Sequence, residues 1–493
     1  MAVKFGTSGL RGLSVELTGA VSARYAAAFV RFLLLRKLCR SGDFIMVGRD
    51  FRESSPAIAS ICMAAIRRAG LVPIDCGAVP TPALAQYAMA STSACLMVTG
   101  SHIPADRNGI KFYRPDGEIT KDDEVAIVSI ADDLATEMHE DWEAGGGGED
   151  RFARVCGFYA QRNEHILAPD ALKGLKVGVY QHSTVSRDLL VDILRFYGAE
   201  VTPLGRSQEF VAVDTEAVSA ETCLQLREWA VGHRLNAIVS ADGDGDRPLV
   251  ADENGLPLRG DLLGLIAARF LGADMIATPV TSNSGIDQLR DVDIVRTRVG
   301  SPYVLAAMAT AGAAGHSGIV GFEANGGVML GSSFMCNDHL LAALPTRDGV
   351  LPILTALQTL SSQPLSGVSS LYAFPVAMSD RLEDFSVERS SALLAFLRAS
   401  PENRQRFVAS FGPNYGSVAA VSDVDGLRMT LSDGSVVHFR ASGNAPEMRC
   451  YVEAVTQAKA EHLLASGLRT IEKFEAPDGG EKTNARSQLE HVF

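Results

Sequence analysis

The chain has 493 residues, 47% hydrophobic and 21% charged, a composition that excludes disordered, collagenous and disulfide-scaffold classes. Its 58 acidic against 45 basic residues give a formal charge of −13, which argues against a nucleic-acid backbone as main partner, because phosphate neutralisation needs clustered Lys and Arg. A small anionic substrate stays open, since it needs only a local pocket of positive charge.

The eight cysteines, Cys39, Cys62, Cys76, Cys95, Cys156, Cys223, Cys336 and Cys450, include no C-x-x-C pair and read as reduced thiols of a cytosolic protein. The opening MAVKFGTSG has no apolar run of signal-peptide type. The most membrane-like stretch, Leu262 to Val280, carries Arg269 and Asp274, so no spanning helix is expected. The expectation is a soluble cytoplasmic protein.

In chain order, Phe44 to Gly48 (FIMVG) reads as a buried strand. Ser55 is expected to cap a helix with Pro56 in its first turn and an apolar face at Ile58, Ile61, Cys62, Ala65 and Ile66, ending at Gly70. Strand Val72 to Cys76, helix Pro82 to Ala90 and strand Ala94 to Val98 complete a βαβαβ rhythm, the mark of a parallel, doubly wound sheet. Glu143 to Asp150 (EAGGGGED) reads as a linker or mobile loop, because four glycines in a row favour neither helix nor packing.

The rhythm restarts with strand Lys176 to Tyr180, helices Ser186 to Tyr197 and Ala220 to Gly232, and strand Ala237 to Ser240. A third round runs through helix Asp261 to Leu271, strands Met275 to Thr278 and Ile294 to Thr297, helix Tyr303 to Ala311, strand Gly318 to Phe322 and helix Gly349 to Leu360. Ser361 to Ser370 is polar, carries Pro364 and is a second linker candidate. Beyond it, Leu427 to Leu431 and Val436 to Phe439 flank Ser432-Asp433-Gly434-Ser435 as a hairpin, followed by strand Arg449 to Val452 and helix Gln457 to Phe474. The fold class expected is α/β, with three doubly wound domains on mixed or parallel sheets and a smaller C-terminal α+β domain.

The sharpest local feature is Asp242-Gly243-Asp244-Gly245-Asp246-Arg247. Three carboxylates at alternate positions can converge on one point, where a hard cation such as Mg²⁺ relieves their repulsion. With Glu253 the spacing also imitates an EF-hand loop, but Arg247 stands where that loop needs Gly and the flanks are strand-like, so the EF-hand is rejected. Val98-Thr99-Gly100-Ser101-His102-Ile103-Pro104 follows a strand end, where Ser101 beside His102 fits a nucleophile or phosphate carrier as well as an ordinary turn. Lys111 fits a proton carrier, a phosphate contact or a surface residue.

Phe5-Gly6-Thr7-Ser8-Gly9-Leu10-Arg11-Gly12 offers hydroxyls, backbone donors and Arg11 to an anion, yet lacks the pattern of a Walker or Rossmann loop. Arg440-Ala441-Ser442-Gly443-Asn444, continuing to Arg449, brackets a turn with two guanidinium groups suited to a phosphate. Gly321-Phe322-Glu323-Ala324-Asn325 puts a carboxylate and an amide at a strand end, suited to sugar hydroxyls. Each of these also fits a structural turn or an exposed loop.

In this order the pieces resemble the α-D-phosphohexomutase family, over about the first 475 residues, and look most like its bacterial phosphomannomutases. The resemblance implies four domains around a central cleft: 1–145 with the serine loop, 150–254 with the metal loop, 255–365 with the sugar loop and 371–475 with the phosphate loop, then a polar tail at 476–493. It implies Ser101 as a phosphoserine, Asp242, Asp244 and Asp246 with the Ser101 phosphate as Mg²⁺ ligands, and Arg247 and Arg11 among the catalytic charges. Lys111 and His102 would handle the hydroxyl proton. Thr7, Ser8, Gly300, Glu323, Asn325, Arg440, Ser442, Gly443, Asn444 and Arg449 would hold the substrate.

The reaction implied interconverts mannose 6-phosphate and mannose 1-phosphate through a hexose 1,6-bisphosphate, feeding GDP-mannose synthesis. The alternatives are a phosphoglucomutase or dual-specificity enzyme and, from another class, a non-catalytic sugar-phosphate-binding protein. Small hexose phosphates are the expected partners, with no nucleic acid or membrane, in a monomer or dimer. The chain departs from the common family serine loop T-A-S-H-N-P at Gly100 and Ile103, and from the commoner Thr-Glu of the phosphate loop at Asn444-Ala445. Ser301 stands where some members carry His.

Overall fold

The computed structural model describes residues 3–6, 9–137, 147–372, 374–412, 415–442 and 446–474. The chain divides into two compact units, one of residues 1–278, 291–295 and 300–369, the other of 279–290, 296–299 and 370–493.

The larger unit is built on successive mixed sheets. The first runs, edge to edge, through Lys4–Phe5, Leu10–Leu13, Arg107–Arg114, Ala94–Val98, Phe44–Arg49, Val72–Ala78 and Glu149–Asp150, with Gly117–Glu118 paired to Arg107–Arg114. The strands Phe44–Arg49, Val72–Ala78 and Ala94–Val98 are parallel, whereas Arg107–Arg114 runs antiparallel to Ala94–Val98, and Leu10–Leu13 pairs antiparallel with Arg107–Arg114. One face (Ile45, Val47, Leu96, Val98, Ile110, Phe112) packs on the helices Ala20–Leu35, Ser55–Arg68 and Lys121–Glu137 through Phe29, Val30, Leu33, Ile58, Ile66 and Ile127. The helix Thr81–Ala90 packs against the strands Phe44–Arg49 and Ala94–Val98. Covered on both sides, these strands read as unbroken apolar runs rather than alternating ones.

The second sheet runs Glu200–Arg206, Lys176–His182, Ala237–Ala241 and Pro248–Ala251, the last antiparallel to its neighbour. The third runs Asp293–Thr297, Met275–Pro279, Ile319–Phe322, Val328–Leu330 and Leu344–Asp348. In the smaller unit an antiparallel sheet runs Val376–Leu382, Met448–Ala454, Val436–Ala441, Leu427–Leu431 and Val418–Ser422. It buries Met429, Val437, Phe439 and Cys450 with Leu393, Phe407, Leu463 and Ile471 of the helices Val387–Ala399, Pro401–Ala409 and Gln457–Glu472.

Three local expectations need correction. Ser55 is the first helical residue rather than the cap: Ser54 holds the cap position without a side-chain cap bond, and the Ser55 hydroxyl donates to Asp50 at 2.5 Å. The glycine-rich linker ends in structure, because Glu149–Asp150 adds a short parallel strand beside Val72–Ala78; residues 138–146 lie outside the described residues. The second linker candidate is not an open tether. Short helical turns at Leu365–Gly367 and Val368–Leu371 bury Leu365 and Val368, and the Ser366 hydroxyl donates to Glu253. The polar tail from Ala476 lies outside the described residues.

Candidate active site

The acidic motif forms the turn between the antiparallel strands Ala237–Ala241 and Pro248–Ala251, which removes any helix–loop–helix reading. Asp242, Asp244 and Asp246 are fully buried, and each offers an oxygen within 4.8 Å of the others. Gly245 takes φ +74°, and a Cβ there would collide with the Ser186 hydroxyl. Glycine therefore lets the turn fold tightly enough to bring the three carboxylates together. Thr81, at the first turn of its helix, fastens the loop: its backbone N–H donates to the Asp244 carbonyl at 2.9 Å and its hydroxyl to the Asp244 carboxylate at 2.5 Å.

Ser101 is brought to this cluster from the end of the strand Ala94–Val98. Its side chain is buried, its hydroxyl donates to the Asp242 carboxylate, and its Oγ lies 3.3 Å from His102 Nδ1. The residue adopts φ +54°, a left-handed conformation that costs a non-glycine residue about 1 kcal/mol or more and persists only where the surroundings impose it.

Cations surround the carboxylates. Lys111 Nζ lies 2.6 Å from both Asp244 and Asp246. Burial alone would lower its pKa, but Asp244 and Asp246 outweigh that and hold it above its ordinary value. Arg247 Nη1 donates to His102 Nδ1 at 2.6 Å, and its Nε lies 3.7 Å from Asp246. Burial, followed by the charges of Arg247 and Arg11, brings His102 down to about 2, so the ring is neutral and free to accept that bond. Arg11 is itself brought down to about 10 by burial and by Arg247 and Arg347.

Arg347 was not anticipated from the sequence. Fully buried, it donates to Asp246 from Nη2 at 2.9 Å and Nε at 3.1 Å, and to Glu323 from Nη1 at 3.0 Å. One guanidinium thus spans the acidic loop and the Glu323 loop. The signal was present: an Arg-Asp pair within the otherwise apolar LPTRDGVLPIL must find buried partners. Burial pushes Asp242 well up, with Asp244 and Asp246 adding to the rise, whereas Asp246 is held below its usual range because Arg347, Lys111 and Arg247 outweigh its burial.

Even so, Asp244 Oδ1 and Asp246 Oδ1 are buried without a hydrogen-bond partner. Buried carboxylate oxygens without a donor carry a desolvation penalty that a bound cation removes. Three converging carboxylates with two such oxygens fit a hard divalent ion such as Mg²⁺, which prefers oxygen ligands.

The other expected residues fall as follows. Glu323 and Asn325 are buried in the turn after the strand Ile319–Phe322. Glu323 pairs with Arg347, while Asn325 Oδ1 accepts from Gly327 N–H at 3.1 Å and fixes its own turn. Gly300 precedes the helix Ser301–Ala313, and the Ser301 hydroxyl donates to Glu118 at 2.8 Å, tying that helix start to the first sheet. Thr7, Ser8, Gly443 and Asn444 lie outside the described residues.

In the smaller unit, Arg440 and Arg449 are direct cross-strand partners, and Arg449 is also opposite Arg381, so three guanidinium-bearing positions stand in one row across three strands. Like charges placed opposite one another repel, and the Glu447 carboxylate, 3.7 Å from Arg449 and 3.9 Å from Arg381, offsets part of that repulsion. Arg440 donates to Asp425 at 2.8 Å, and Ser442 N–H donates to the Glu447 carbonyl at 2.9 Å. Arg381 was not singled out in the sequence because its neighbours become visible only through strand register.

Residues 2–138, 158–255 and 259–375 match the family models described as phosphoglucomutase/phosphomannomutase, alpha/beta/alpha domains I, II and III, and residues 395–467 match the C-terminal domain model of the same family. A phosphomannomutase of Sinorhizobium fredii is 56% identical over 473 residues, covering 96% of this chain and 99% of that one. A phosphomannomutase of Salmonella muenchen is 40% identical over 472 residues, covering 95% of each chain. Among solved structures, a phosphoglucomutase/phosphomannomutase family protein of Burkholderia thailandensis shares the fold with a TM-score of 0.71 at 22% identity, covering 96% of this chain and 98% of that one.

Proposed function

The chain belongs to the phosphoglucomutase/phosphomannomutase family, and from that premise we propose that it is a phosphomannomutase interconverting mannose 6-phosphate and mannose 1-phosphate in the cytoplasm. The observation that carries the reading is a buried serine hydroxyl hydrogen-bonded to one of three convergent aspartates. A structural turn has no need to bury that combination.

Phospho-Ser101 gives its phosphoryl group to a sugar hydroxyl: the Oγ–P bond breaks, the sugar O–P bond forms, and the hydroxyl proton passes to the departing Ser101 Oγ. The product is a hexose 1,6-bisphosphate. After this intermediate turns over, its other phosphoryl group returns to Ser101 by the reverse exchange. Mg²⁺, when bound by Asp242, Asp244, Asp246 and the Ser101 phosphate, supplies electrostatic stabilisation of the transferring group.

Arg247 and Arg11 supply fixed positive charge beside the acceptor, already oriented before any substrate arrives. Lys111 is assigned the relay of the hydroxyl proton: as a neutral amine it takes it from the sugar hydroxyl, and as the ammonium its carboxylate neighbours favour here it gives one to Ser101 Oγ. Neutral His102, 3.3 Å from Ser101 Oγ, is assigned a place beside that transfer as a partner of Ser101 rather than as its base. Glu323, Asn325 and Gly300 are assigned to the sugar hydroxyls. Thr7, Ser8, Arg440, Ser442, Gly443, Asn444 and Arg449 are assigned to the substrate and its non-transferring phosphate.

The charges support this reading. Four cations (Arg11, Lys111, Arg247, Arg347) face four carboxylates (Asp242, Asp244, Asp246, Glu323). Adding a phosphate dianion together with a divalent cation leaves that balance unchanged.

Purified protein assayed with mannose 1-phosphate and glucose 1-phosphate tests the substrate. We expect the mannose isomer to be preferred in kcat/KM, and a strong preference for glucose 1-phosphate would replace the reading with phosphoglucomutase. Asp244→Asn is expected to weaken Mg²⁺ binding at least about 10-fold in a calorimetric titration and to lower the rate with it. An unchanged titration would mean that other groups hold the ion.

A further inference from the structure

We propose that Arg52 is a positioning residue that sets the Ser101 hydroxyl for phosphoryl transfer, and that Gly100 is glycine because this guanidinium occupies the space of a side chain there. The proposal rests on the reading of Ser101 as the phosphoryl carrier.

Arg52 lies just beyond the strand Phe44–Arg49 and is 1% exposed. Its Nη1 donates to the carbonyls of Pro104 at 2.7 Å and Arg107 at 2.8 Å, and its Nη2 to those of Ser101 at 3.0 Å and Ile103 at 2.6 Å. Three of these carbonyls belong to the loop that carries the serine, and the fourth, that of Arg107, opens the strand that follows it. The guanidinium is held in turn by Asp50, 3.3 Å from its Nε. The same Asp50 accepts from the Thr99 hydroxyl at 2.7 Å, and Thr99 Oγ1 accepts from the Ser101 N–H at 2.8 Å. The Asp50–Arg52 pair therefore holds the peptide on both sides of Ser101, and that grip accounts for the persistence of its left-handed backbone.

Two further contacts make the arrangement specific. A Cβ on Gly100 would lie 2.7 Å from Arg52 Cζ and 2.8 Å from Nε, so the alanine common at this position in the family resemblance would displace the guanidinium. The Phe210 ring centroid lies 3.9 Å from the Arg52 guanidinium carbon, and the same ring lies against Gly243 of the aspartate loop, where a Cβ would meet it at 3.0 Å. Arg52 and Phe210 thus connect the serine loop to the carboxylate loop. Lysine cannot replace this arginine, because a single ammonium with three donors does not serve the four carbonyls that the guanidinium fork reaches.

The test compares wild type, Arg52→Lys, Gly100→Ala, Arg52→Ala and the Arg52→Ala/Gly100→Ala double variant. It measures kcat, KM and, by intact mass, the rate at which dephosphorylated enzyme takes a phosphoryl group from glucose 1,6-bisphosphate. In that step a P–O bond to the sugar breaks, a P–O bond to Ser101 forms, and the proton of Oγ passes to the sugar oxygen. Arg52→Lys should lower kcat and the phosphorylation rate about 100-fold with KM within about 2-fold, the signature of a misplaced reacting atom.

Gly100→Ala, which keeps Arg52, should lower kcat at least about 10-fold alone but by less than about 3-fold in the Arg52→Ala background, where the collision is gone. A wild-type kcat in Gly100→Ala, or an equal cost of that change in both backgrounds, would overturn the proposal. Wild-type protein that takes no phosphate on Ser101 would instead overturn the reading on which it rests.

Discussion

Ser101→Ala is expected to abolish turnover, lowering kcat at least about 10⁴-fold, ~5 kcal/mol of transition-state stabilisation, while changing folding stability by no more than about 1 kcal/mol. The asymmetry follows from position. The hydroxyl lies on a loop beyond a strand end and makes its bond to Asp242, whereas the grip on the loop runs through the backbone carbonyls and N–H held by Arg52 and Thr99, which alanine keeps. Steady-state assays and thermal melts of the variant check both halves. Mutase activity within 10-fold of wild type, as a rough bound, would remove Ser101 from the chemistry altogether.

The second large effect is expected at Arg347. Arg347→Met removes the ion-pair partner of buried Glu323 and one of the partners of Asp246 at once, and stranding a buried charge in this way costs about 3–5 kcal/mol. We expect a clearly lower melting temperature together with a loss of activity, because Asp246 and Glu323 lose the group that fixes them relative to each other. Glu323→Gln introduced into the same background should restore part of the stability, a coupling on the order of 0.5–3 kcal/mol. A variant as stable as wild type would show that water or a shifted Lys111 compensates, and that Arg347 holds nothing in place.

The sequence showed the parts that local pattern can encode. Phe44–Arg49 and Ala94–Val98 stood out because strands covered on both faces are apolar throughout. The aspartate triplet stood out because alternating glycines mark a turn with a purpose. The strand Arg107–Arg114 was missed: Asn108-Gly109 reads locally as a turn, yet in the sheet the Asn108 amide donates at 2.9 Å to the hydroxyls of both Ser54 and Ser55. Those partners lie more than 50 positions away, so no window of sequence contains the reason.

Arg347 was hidden for the same reason, its carboxylate Asp246 being 101 residues distant. The serine loop is instructive in a different way. Ile103, where the common family serine loop has asparagine, has no side-chain donor to offer, but its carbonyl, a group every residue has, is held by Arg52 at 2.6 Å.

Intact-mass analysis of the isolated enzyme, followed by peptide mapping, tests the central claim most directly. If Ser101 carries the transferring group beside the three aspartates, part of the population will be heavier by one phosphoryl group, about 80 Da, and mapping will place it on Ser101. Fully active enzyme with no phosphate on Ser101 before or after exposure to glucose 1,6-bisphosphate, or with the group on a different residue, would contradict the account.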